Sequence, residues 1–152
     1  MEKKQGLKQT QRALMAVYIG MMSFAIIWVG LCELTTPNFI GLLQKETEMF
    51  FICKTVLVIS TLALIPLALR LFKFRKIHEE LINDTTPNHA KLLVYGMLRM
   101  DMLHFPMIIN ILLYYFFMEP GFGYMAIVLF LSSLFIVPTM KRCEAEVTEN
   151  EA

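Results

Sequence analysis

Between Ala13 and Cys32 the chain runs for about 20 residues without a charge, the length one helix needs to cross the hydrocarbon of a bilayer. Three more apolar stretches follow, at about 50–72, 91–118 and 120–140. Lipid offers no partner for backbone N–H and C=O groups, so a stretch that crosses it must bond internally, as a helix does. The pattern predicts an all-α integral membrane protein, an up-and-down bundle of four transmembrane helices with spans at about 13–34, 50–72, 91–118 and 120–140. These form one domain over 1–140, and 141–152 is read as a short, acidic, disordered cytoplasmic tail. Composition agrees: 57% of residues are hydrophobic and 18% charged, against roughly 45–50% apolar in soluble domains.

The charges are segregated. Of the 14 Lys and Arg residues, four precede the first span, five run from Arg70 to Lys91, two follow the fourth span, and Arg99 lies at the inner end of the third. Only Lys45 and Lys54 fall on the other side, where Glu33, Glu46, Glu48 and Glu119 gather. The positive-inside rule places both termini in the cytoplasm. Compact loops and the lack of other targeting signals fit the cell (inner) membrane of a bacterium. The first span is read as a retained helix, since three more spans follow and Leu31 before Cys32 is too large for a lipoprotein cleavage site. Nucleic acid is excluded as a partner because the basic residues sit at helix ends beside apolar runs.

Several local signals accompany the spans. Ala13, Ala16, Gly20, Ser23, Ile27 and Gly30 recur at three- and four-residue steps, a small-residue stripe against which another helix can pack. The tetrapeptide Thr-Thr-Pro-Asn occurs at 35–38 and 85–88, each time as a helix-start signal, and the first copy predicts a short interfacial helix before span two. Pro66 is expected to kink span two. Beyond it Leu71, Phe74, Ile77 and Leu81 share a helical face beside the basic Arg70, Lys73 and Lys76, which reads either as a helix on an anionic membrane surface or as a continuation of span two.

The third span, Lys91 to Met118, is the one most marked for function. It carries Arg99, Asp101, His104 and Asn110, groups that hydrocarbon disfavours. At 100° per residue Arg99 and Asn110 lie about 20° apart on one face, and Asp101 and His104 about 60° apart on another. The plain reading makes Arg99 an interfacial anchor, pairs Asp101 with it or with a basic residue of span two, and leaves His104 bonded inside the bundle. The sharper one makes the four an intramembrane cluster open to the cytoplasm, where Asp101 and His104 relay protons and Arg99 holds an anion. Haem is disfavoured because His104 is the one histidine within a span. Methionine is abundant, at 12 residues, and reads as core packing rather than soft-metal transport. No catalytic set, metal site or cofactor is assigned.

At the outer edge an antiparallel hairpin of the first two spans would bring Glu33 and Lys54 together as an ion pair. The same hairpin would bring Cys32 near Cys53, a candidate disulfide if the outer space is oxidising. Four spans in a chain of this length is also the size of membrane glutathione transferases, small multidrug exporters and quinone-linked disulfide-forming proteins. The residues those chemistries need are missing: no Arg-x-x-Asn-x-x-Glu in spans two or three, no glutamate well inside span one, no CxxC. With so little mass outside the membrane, the leading expectation is a non-enzymatic accessory or interaction subunit. Its partners would be membrane lipid and either a homo-oligomer or a larger membrane complex. The alternatives are a small transporter or channel-like oligomer with a polar path along span three, and a membrane-embedded enzyme or lipid binder with a cytoplasm-facing pocket.

Overall fold

A computed structural model of the chain describes residues 2–35, 38, 40–43, 45, 47–84 and 89–147, and among these every regular element is helical. In order they are α1 (Glu2–Thr35), α2 (Thr47–Arg70), a 3-10 turn (Leu71–Lys73), α3 (Arg75–Ile82), α4 (Ala90–Phe117), α5 (Pro120–Leu134) and α6 (Met140–Val147). Three helical stretches, Gln5–Thr35, Glu48–Lys73 and Ala90–Phe117, are long and apolar enough to cross a membrane.

The helix carrying the polar residues is also the hub. α4 packs against α1, α2 and α5, and 44% of its most apolar stretch is buried, compared with 22% for α1 and 6% for α2. α1 meets it through Leu14, Tyr18, Ala25 and Cys32, near-heptad positions that form one seam. α4 answers with Met100, Leu103 and Met107, and α5 adds Ala126 and Leu129. The close approach of α1 and α4 depends on Gly96. A Cβ there would lie 2.8 and 2.9 Å from the two terminal methyls of Leu14, itself only 2% exposed. Gly96→Val is therefore expected to push the helices apart and destabilise the protein by about 1–3 kcal/mol, measured by thermal unfolding in detergent.

Contacts along the helices fix their relative directions. Tyr18 meets His104 and Val29 meets Tyr115, so α1 and α4 run the same way. Phe50 meets Phe117 while Phe72 meets Arg99, so α2 runs opposite to α4. α1 and α2 are not the packed neighbours that a short loop implied. The loop crosses over the end of α4, where Gly41 N–H donates to Tyr115 O (2.8 Å) and Leu43 N–H to Phe116 O (3.1 Å). Those bonds satisfy carbonyls that a helix C-terminus leaves open, and they place α1 and α2 against different sides of α4. Asn38, 40–43 and Lys45 form turns where an interfacial helix was expected. The proposed caps Thr36-Pro37 and Thr85–Asn88 lie outside the described residues.

The fourth expected span starts where predicted but ends early. α5 starts at Pro120, a residue suited to the first helical position, and ends at Leu134. Its 15 residues rise about 22 Å, short of the roughly 30 Å of a hydrocarbon core. Pro138 is the cause: it has no N–H and disfavours helix in the residue before it. The chain tightens instead, with Phe135 and Ile136 N–H bonding Ser132 O (3.1 Å) and Ser133 O (3.0 Å).

Of the two readings of the segment after span two, the run-on helix is overturned. Phe74 adopts an extended conformation (φ −66°, ψ 125°), which stops a run-on helix. α3 then folds back, and Leu81 joins Leu7, Leu92 and Cys143 in a second, smaller core. The acidic tail is likewise ordered over 140–147: Met140, Cys143 and Val147 share the inner face of α6, and Cys143 is 1% exposed.

Candidate functional site

The polar residues of α4 separate, each toward different company. Arg99 lies on the side facing α6 and the 3-10 turn. Its Nη1 donates to Glu146 Oε1 at 3.1 Å, and its guanidinium sits 4.9 Å from the Phe72 ring centroid. Both side chains of the pair are largely buried, 12% exposed for Arg99 and 20% for Glu146. Burial pushes the Glu146 carboxyl up to about 7, although the guanidinium groups of Arg99 and Arg142 pull the other way. Burial likewise raises the Cys143 thiol to about 11, which keeps it protonated and unreactive.

His104 is 1% exposed and Asn110 0%, and both turn to their own helix. The His104 Nδ1–H donates to Met100 O (2.9 Å), which leaves Nε2 buried and without a hydrogen-bond partner. Tyr18 stands edge-on to the imidazole, with ring centroids 5.5 Å apart. Asn110 Nδ2 donates to Pro106 O (2.8 Å), and its Oδ1 is buried and unpartnered.

Asp101 is exposed. It lies on the same stripe as Val94, Leu98 and Phe105, which are 62, 47 and 69% exposed, and it makes no hydrogen bond or ion pair with the described residues. The four residues thus form no single cluster: Arg99 joins the tail, His104 and Asn110 bond backbone, and Asp101 faces outward. A separation of about 60° between Asp101 and His104 suffices to put them on opposite sides of the burial boundary.

The expected outer pair also takes other partners. Lys54 Nζ bonds Glu119 Oε1 at 3.0 Å and lies 5.0 Å from the Phe50 ring, while Glu33 Oε1 accepts from the Tyr115 hydroxyl at 3.0 Å. The hairpin geometry behind a Glu33–Lys54 pair fails because α4 stands between α1 and α2. Cys32 and Cys53 are free thiols for the same reason. Among the described residues no three His, Cys, Asp or Glu side chains gather as a metal set.

A groove of about 360 Å³ lies beside the C-terminal end of α4, with its floor on α4 and its walls on α1 and α5. Sequence periodicity did not indicate it, because it arises where α1 and α5 part. The contact of Arg99 with Glu146 had a visible sign in the spacing of Met140, Cys143 and Val147, which marks an amphipathic turn in a tail otherwise read as disordered. No protein family matches the chain, and neither does any curated protein or solved structure.

Proposed function

We propose that this is a four-span integral membrane protein of the cell membrane, with both termini cytoplasmic, which works as a non-enzymatic subunit binding another membrane protein. The opposed directions of α4 and α2 and the segregation of lysine and arginine support this topology. In it α5 and the turn that follows it, 135–139, together make the fourth crossing.

The observation that carries the function is Asp101. It sits about 3 Å further along the axis than Arg99, at the edge of hydrocarbon, on a stripe of otherwise apolar exposed residues. A carboxylate facing lipid is costly unless a cation meets it, and this chain supplies none among its described residues. A Lys or Arg on a partner helix at the same depth supplies the missing charge. A second surface suits the same role. The small-residue stripe of α1 points away from the Leu14–Cys32 seam, and a Cβ at Gly20 or Gly30 would meet nothing within 4 Å. A polar transport path or an inward pocket has less to work with, since Arg99, His104 and Asn110 are each engaged inside the chain.

The test is affinity purification with mass spectrometry on the wild type, Asp101→Asn and Asp101→Glu. A stoichiometric membrane partner is expected with the wild type and with Asp101→Glu. With Asp101→Asn its recovery should fall about tenfold, the scale of one lost charge-assisted contact, while helical content and melting stay unchanged. Recovery of the partner undiminished by Asp101→Asn would overturn the proposal.

A further inference from the structure

α1 and α5 touch where Ser133 Oγ lies 3.8 Å from Met22 Sδ, and beyond that level they part. The gap between them is the groove of about 360 Å³, within the size range of small-ligand sites. Small residues hollow it: Ala25 on α1, and Gly123 and Ala126 on α5. Met107 and Ile111 of α4 form its apolar floor. Its two rims, Ile26 and Ile127, are 62 and 55% exposed, so it opens sideways onto the surface that faces acyl chains. At one end the lining turns polar, with Glu33 and the tyrosines 114 and 115.

Glu33 is the charge that selects the occupant. Its Oε1 is held by the Tyr115 hydroxyl, which also reaches toward Val29 O (3.5 Å). Tyr115 donates a proton but brings no positive charge, and no cation among the described residues pairs with Glu33. A groove wall left bare would forfeit its dispersion contacts, and in a bilayer the molecule always present to fill it is lipid.

We propose that this groove binds one chain of a membrane aminolipid, with the lipid's primary ammonium seated on Glu33. Three N–H donors on the ammonium fit a carboxylate oxygen and the Tyr115 oxygen together. An anionic glycerol head places negative charge against Glu33, and a quaternary choline head has no N–H to give. Tyr115 acts as a positioning residue that holds the carboxylate over the mouth. This site lies at the opposite end of α4 from Asp101, so it stands or falls separately from the partner-binding role.

The experiment is native mass spectrometry of the full chain, delipidated in detergent and then offered phosphatidylethanolamine, phosphatidylcholine or phosphatidylglycerol of identical acyl chains. One phosphatidylethanolamine per chain is expected, retained about tenfold over phosphatidylglycerol, as one charge-assisted contact implies. Glu33→Gln should erase that preference while keeping chain binding, and Tyr115→Phe should reduce it. Val29→Trp, which fills the groove, should lose both. Ile127→Trp on the exposed opposite rim does the same with less strain and serves where Val29→Trp fails to fold. Equal retention of the ethanolamine and glycerol lipids by the wild type would overturn the proposal, as would lipid retained at wild-type levels by a folded groove-filling variant. Asp101→Asn, distant from the groove, should leave every lipid result unchanged.

Discussion

Arg99→Ala is expected to release α6 from the bundle and to destabilise the folded chain by about 3 kcal/mol. Removing one member of a buried ion pair commonly costs about 3–5 kcal/mol, because the remaining charge is left without compensation. The lower figure applies here because Glu146, already raised to about 7, can take up a proton once its partner is gone. The loss of the guanidinium face over Phe72 adds to the effect. Glu146→Gln should behave differently and stay within about 1 kcal/mol of wild type, since it removes the group whose burial is unfavourable and keeps an acceptor for Arg99. The pH dependence follows from the same carboxyl. Its value is higher in the docked state than its ordinary 4.5, so docking holds more protons than the released tail does. Docking is then strongest below about 4.5 and weakens as pH rises through about 7, and Glu146→Gln should flatten this profile. Limited proteolysis of α6 across that pH range, with thermal unfolding in detergent, measures all three outcomes. Unchanged α6 protection in Arg99→Ala would show that the pair does not hold the helix.

Leu103→Ala should be among the most damaging apolar truncations in the chain. Leu103 is 0% exposed and stands midway along α4, within the core built from α1, α4 and α5. In water-soluble cores such a truncation costs about 2–5 kcal/mol, part from transfer and part from the cavity left behind. In lipid the transfer part largely vanishes, because acyl chains are as apolar as leucine, and lost packing remains. An effect of about 2–3 kcal/mol is therefore expected, at the low end of that range. Leu98→Ala, on the exposed stripe five residues earlier, is the matched control and should change stability by less than about 0.5 kcal/mol. Reversible unfolding in mixed micelles reads both. Equal losses at the two positions would contradict α4 as the packing hub.

The need to bury part of α4 was legible in the sequence, because an apolar helix carrying Arg99, His104 and Asn110 has reason to turn them inward. His104 and Asn110 are indeed among its most buried residues. Asp101 shows the limit of that reasoning. Its angular position was known, but the helix could rotate by a fraction of a turn and put it inside or outside. Gly96 facing Leu14 on one side and the contacts to α2 and α5 on the others settle that rotation. The partners of the charged ends were less legible still. Glu33 and Lys54 sit at corresponding ends of two consecutive helices, and pairing them assumes those helices touch. The backbone bonds from Gly41 and Leu43 to the end of α4 remove that assumption. The docked tail was hidden because its three apolar residues count for little until a surface exists to receive them.

What the sequence by itself determined is local and compositional: three long helices apolar enough for lipid, a fourth apolar stretch, and charges sorted to their ends. Hydropathy and length depend only on residues near in the chain, so one strand of letters suffices. What only the tertiary structure decided is who meets whom. Glu146 goes to Arg99, Glu119 to Lys54 and Tyr115 to Glu33, while Asp101 is left facing outward and α1 parts from α5 to leave a groove. Those outcomes depend on helix rotation, on which helices are neighbours and on where Pro138 ends α5. Each joins residues far apart in the chain, and their distance is set by packing rather than by sequence spacing.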